Sequence, residues 1–115
     1  MQYMLMLYFD EAGFQKADKA TLERRHGAYN AYTEAAKTAG VLVGGDRLQP
    51  SATASTVRLK NGKSAVLDGP YAETKEQFGG YYILDLPDLD AALDWAARCP
   101  TADHGTVEVR AIWPM

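Results

Sequence analysis

Residues Gln2 to Phe9 are apolar at both parities. Tyr3, Leu5, Leu7 and Phe9 fall on one side, and Met4, Met6 and Tyr8 on the other. Strand side chains alternate between faces, so this run predicts a strand covered on both. Tyr81 to Leu86 repeats the pattern and predicts a second such strand. Between them, Leu22, His26, Tyr29, Thr33 and Ala36 recur at spacings of four and three. That is the stripe of a helix starting at an N-cap Asp18, reaching Ala39 and stopping at Gly40 as a C′ residue. Val41 to Val43 begins a strand, slowed by Gly44-Gly45 and followed by Asp46, Arg47 and Leu48. Pro50 to Ser55 reads as a connecting loop. Thr56 to Lys60 and Lys63 to Leu67 flank Asn61-Gly62, the strongest short-range hairpin signal. After Pro87, Asp88 caps a helix whose inner stripe is Leu89, Ala92, Leu93, Ala96 and Cys99, closed by Pro100. In Gly105 to Ile112, Val107, Val109 and Ala111 alternate with Glu108 and Arg110, a half-exposed strand.

The order is strand, helix, strand, hairpin, strand, helix, strand. Without the hairpin it is βαββαβ, the ferredoxin-like split βαβ of the α+β class. No linker or repeat divides the chain, so residues 1–115 are expected to form one domain. In such a fold two helices cover one sheet face. The doubly apolar strands then leave several hundred Å² of apolar side chains on the other, the size of patch that marks an interface. A second copy, placed sheet to sheet by a two-fold axis, is the simplest cover, and a homodimer is expected.

Composition narrows the function classes. At 47% hydrophobic, the chain buries a core without disulfides. Its net charge of −3 lacks the clustered basic face that nucleic acid requires. The single cysteine, Cys99, suits a reducing compartment and reads as a buried structural thiol. The first residues have no basic n-region and too few apolar positions for a membrane span, so a cytoplasmic protein is expected. The histidines His26 and His104 lack the context of a metal site, and no cofactor motif is present, so neither metal nor cofactor is expected. His104, beside Gly105, reads as exposed.

The candidate chemistry concentrates in Asp68-Gly69-Pro70-Tyr71-Ala72-Glu73-Thr74-Lys75-Glu76-Gln77-Phe78-Gly79-Gly80. Gly69 allows a tight turn and Pro70 fixes it, so Asp68 is either an acid or base on a rigid corner or a turn-capping residue. Thr74 and Gln77 have capping-box spacing, which predicts a short helical turn. Its N–H groups, with Lys75, suit a small anion, and Tyr71 lies within the same stretch. Glu73 and Glu76 are proton-transfer candidates if buried; the bland reading is a solvated charged loop. Histidine is the natural proton carrier near neutral pH, so His26 is a candidate too, against a core histidine bonded in place. Tyr29 is assigned an assisting role. Arg47 can hold a carboxylate, or form a surface ion pair with Asp46.

The thirteen-residue stretch resembles the signature of the DGPF branch of the YCII-related family, with Tyr71 where that branch usually has Phe. Ala39-Gly40-Val41-Leu42-Val43-Gly44-Gly45, Leu48-Gln49-Pro50 and Trp95-Ala96 resemble it as well. The resemblance implies a ferredoxin-like subunit that pairs into a dimeric α+β barrel. It implies a link with extracytoplasmic-function sigma factors, and, for the parent branch, an enzyme with a His and an Asp in a cleft. Counted back from Gly40, Tyr29 stands in the place of that His, and His26 lies one turn earlier. Two functions are thus open. One is a cofactor-free enzyme doing acid–base chemistry on a small polar or anionic molecule in a cleft near the dimer interface. The other is a non-catalytic module that binds a small ligand or a protein partner.

Overall fold

The computed structural model describes residues 1–115. The strands are β1 (Gln2–Phe9), β2 (Leu42–Arg47), β3 (Ser55–Lys60), β4 (Lys63–Asp68), β5 (Gln77–Asp85) and β6 (Gly105–Ala111). The helices are α1 (Glu11–Gln15), α2 (Lys19–Thr38), α3 (Leu89–Arg98) and α4 (Thr101–His104), with a 3₁₀ turn at Ser51–Thr53. Leaving aside the β3–β4 ribbon and the short helices, the order is βαββαβ. One sheet runs β2-β5-β1-β6, every neighbour antiparallel, and the two doubly apolar strands β1 and β5 are its central pair. No helix is long and apolar enough to cross a membrane.

Local signals in the sequence set the element ends. Asp18 accepts from the Thr21 N–H and Asp88 from the Ala91 N–H, each supplying a partner to an otherwise unbonded helix donor. Gly40 ends α2 at φ 73°, and Asn61 and Gly62, at φ 52° and 76°, make the turn whose twist suits a hairpin. β5 begins earlier than the sequence predicts, at Gln77. The glycines of Phe78-Gly79-Gly80 pair with β1 through a bulge rather than ending the motif as loop.

Alternation sorts the sheet into two faces. Tyr3, Leu5 and Leu7 point with Leu84 and Tyr82 toward the helices. There they meet Tyr32 and Ala36 of α2 and Ala92, Trp95 and Ala96 of α3 in the core. Trp95 belongs to the inner stripe of α3, whereas Leu89 and Leu93, expected there, face solvent. The 3.6-residue turn carries Ala92, Trp95, Ala96 and Cys99 onto one side, and the two leucines lie just off it. Met4, Met6, Tyr8, Tyr81 and Ile83 occupy the opposite sheet face, which no helix covers. The molecule is accordingly flat, 48 × 43 × 18 Å.

Candidate functional site

The N-terminal half of α2 stands away from the sheet, and the gap is a cavity of about 580 Å³. β1 contributes Leu7 and Phe9, β2 contributes Arg47, and β5 contributes Tyr82 and the Gly79-Gly80 pair. α2 contributes His26, Tyr29, Asn30 and Thr33. The glycines make room: a Cβ on Gly79 would lie 2.3 Å from the Phe9 ring, and one on Gly80 would lie 2.9 Å from the Asp46 carbonyl oxygen. α1 closes one side with Phe14. It is tied down by Glu11, whose carboxylate accepts from the Ser51 N–H and hydroxyl, and whose N–H donates to Gln77.

Phe14 carries two guanidinium groups. Arg25 lies 5.0 Å and Arg47 5.9 Å from its ring centroid, and neither makes an ion pair. The expected Arg47–Asp46 pair does not form, because Asp46 accepts instead from the Tyr81 hydroxyl on the other face of the sheet. The cavity therefore has aromatic walls; Arg47 and Asp46 are among its lining, and Arg25 reaches its side only through the Phe14 ring.

The Tyr29 hydroxyl is a part-buried polar group on the α2 wall. It bonds the buried Thr101 hydroxyl at 2.5 Å and lies 3.2 Å from His104 Nε2. Burial pushes Tyr29 up to about 12, so it stays a neutral hydroxyl. His104 is not exposed as its neighbours suggest. It packs edge-on against Phe9 and Tyr29 and beside Phe14; burial first, then the Arg25 charge, lowers its pKa. Tyr82, raised by burial, bonds Thr33. His26 is an exposed side chain on the cavity wall with no hydrogen bond, not a core histidine bonded in place.

Of the sequence candidates, the fold thus gathers His26, Tyr29 and Arg47. Asp68, Gly69, Pro70, Tyr71, Glu73, Thr74, Lys75 and Glu76 do not line this cavity of their own chain. Asp68, Glu73 and Lys75 are exposed. Gly69, at φ 101°, donates to the Ala54 carbonyl and accepts from Thr56, closing the ribbon's base. Tyr71 stacks under Arg58. The helical turn expected at Thr74 to Gln77 is absent. The Thr74 hydroxyl donates to the Glu76 carbonyl and Gln77 Nε2 to the Thr74 carbonyl, so local side-chain bonds brace a bend at Lys75 and Glu76 that leads into β5. Glu76 accepts from Thr106 on β6. Phe14, Arg25 and His104 escaped the sequence reading. The acidic start Asp10-Glu11 was the available signal for α1, and nothing local marks His104 as packed.

The model of the YCII-related domain matches residues 1–115. An uncharacterised protein of Rhizobium meliloti (strain 1021) is 37% identical over 116 residues, covering 96% of this chain and 90% of that one. Among solved structures, the chain is similar to 5-chloro-2-hydroxyhydroquinone dehydrochlorinase from Burkholderia phenoliruptrix AC1100, in complex with 2,5-dihydroxybenzoquinone. The TM-score is 0.57 at 14% identity, covering 98% of this chain and 94% of that one. At that identity the likeness is one of fold.

Proposed function

The chain belongs to the YCII-related domain family, and on that premise we propose that it is an enzyme performing proton transfer on a small, flat, anionic molecule held between α2 and the sheet. The observation that carries this is an aromatic-walled cavity lined by Arg47, with Arg25 on the same Phe14 ring at its side and neither guanidinium in an ion pair. Such a site favours a ring bearing ionised oxygen: the ring packs on Phe9 and Phe14, and Arg25 and Arg47 attract the charge. A quinone diol of the kind bound by the structural neighbour has this chemistry.

In this reading the Tyr29 hydroxyl, neutral at working pH, donates a hydrogen bond to a ligand oxygen. Thr101 and His104 fix its orientation. His26, free on the cavity wall, takes or returns the proton. Calorimetric titration with 2,5-dihydroxybenzoquinone and a panel of hydroxylated benzoates tests it. Arg25→Ala and Arg47→Ala should each weaken binding about tenfold or more, since a hydrogen bond to a charged group contributes about 1.5–3 kcal/mol. His26→Gln should keep binding and lose turnover. A ligand that binds but is never converted by the parent protein makes the chain a binding module. If no member of the panel binds, the reading falls.

We also infer that a second copy covers the open sheet face. Met4, Met6, Tyr8, Tyr81 and Ile83 form its apolar centre, with Asp46, Glu108 and Arg110 around it.

A further inference from the structure

The β3–β4 ribbon leaves the body of the molecule without joining its sheet; its two strands bond to each other. The radius of gyration, 16.1 Å, exceeds the about 13 Å of a compact domain of this length. A lone two-stranded ribbon is marginal in water. This one exposes an apolar face: Val57 lies opposite Val66, Leu59 points the same way, and the three are 59, 61 and 73% exposed. At the tip Lys60 lies directly across from Lys63. Like charges in that position destabilise the pair, and neither lysine has an acidic partner.

A complementary surface exists on α3. Leu89 and Leu93, one turn apart, are 52 and 49% exposed. Asp90 and Asp94, also one turn apart, are exposed, and neither makes an ion pair or a side-chain hydrogen bond. Two carboxylates at that spacing repel. On α3 the two leucines lie beside the two carboxylates. On the ribbon the lysine pair stands at the tip, one residue beyond Leu59 and on the opposite face from Val57, Leu59 and Val66. The two elements thus carry exposed apolar groups and like-charge pairs of opposite sign. A chain's own ribbon is badly placed to cover its own α3. The ribbon follows β2 at one edge of the sheet, and α3 packs on β6 at the other.

We propose that the ribbon of one copy docks on α3 of a second copy. Val57, Leu59 and Val66 meet Leu89 and Leu93, and Lys60 and Lys63 meet Asp90 and Asp94. The long lysine stems carry the ammonium groups round the ribbon edge. A two-fold axis makes the contact reciprocal, so each copy gives one arm and receives one. The contact uses residues separate from those of the open sheet face.

Two variants test the charges: Lys60→Asp/Lys63→Asp and Asp90→Lys/Asp94→Lys. Each alone should self-associate at least about tenfold more weakly in sedimentation, because both reciprocal contacts then juxtapose like charges. An equimolar mixture should recover the loss, since both contacts are then opposite in sign. Independently of any sheet-face contact, Leu59→Cys chains mixed with Leu93→Cys chains should form a disulfide heterodimer under mild oxidation. Ribbon amides of the parent protein should gain hydrogen-exchange protection as concentration rises. The proposal is overturned if the mixture recovers nothing, if no Leu59→Cys–Leu93→Cys product forms, or if the ribbon exchanges freely at every concentration.

Discussion

Tyr29 and His104 show how one residue's role follows from its neighbours. Tyr29 reaches from α2 to α4 and bonds Thr101, a side chain with no access to water. Tyr29→Phe leaves that hydroxyl without this partner and should lower stability by about 1–2 kcal/mol, read as a lower Tm. His104 is held neutral by burial, with its pKa below the ordinary 6.5. The unfolded chain therefore takes up a proton before the folded one does. Stability should be full above about pH 6.5 and fall as the pH drops through the lowered folded value. His104→Gln should flatten that slope in denaturant titrations at pH 8, 6 and 5; an unchanged slope would assign it to other groups. Cys99 is buried and its pKa is raised by burial, so it should react with a thiol reagent only at the rate of unfolding.

At the scale of elements, the glycines divide by what lies beside them. Gly105 opens β6 against β1, and a Cβ there would lie 2.1 Å from the Tyr8 carbonyl oxygen, a backbone atom that cannot turn aside. Gly44 in β2 has nothing within 4 Å of the same position. Gly105→Ala should therefore cost about 3 kcal/mol or more, and Gly44→Ala little, when both are compared by urea denaturation. The two long helices, the main strands and their caps were legible in the sequence, because Asp18, Gly40, Asn61-Gly62 and Asp88 act through bonds within three or four residues; the short helices α1 and α4 were not. Nor were the exposed Leu89 and Leu93. An inner stripe read from spacing fixes the helix, but which flank of the stripe meets the sheet depends on how the helix rolls onto it.

For the whole molecule, the bare sheet face predicts the assembly. Met6 stands at its centre, opposite Tyr81 on one side and Glu108 on the other. Light scattering should give a mass near twice the 12.6 kDa chain. Met6→Lys, whose ammonium group stands beside Glu108, should leave the fold intact and yield a monomer. A parent protein that is monomeric at every concentration would remove the sheet-face pairing. The same scale decides where the cavity lies. It needs α1, α2, β1, β2 and β5 together, drawing on segments from Leu7 to Tyr82.

The sequence alone determined the α+β class, the order of its elements, the two-faced apolar character of β1 and β5, and the family. Each rests on periodicity, caps, turns or contiguous motif residues, all local along the chain. It pointed for function to the charged stretch from Asp68 to Glu76, because charges close in sequence look like a site. Tertiary structure sends that stretch to the ribbon's base and the path into β5. It turns the Gly79-Gly80 pair that follows into cavity wall. It also brings Phe14, Arg25, Arg47 and His104 from four separate elements around Tyr29 or the Phe14 ring. Such a gathering depends on the packing angle of α2 and on the closure of α1, which no spacing in the sequence encodes.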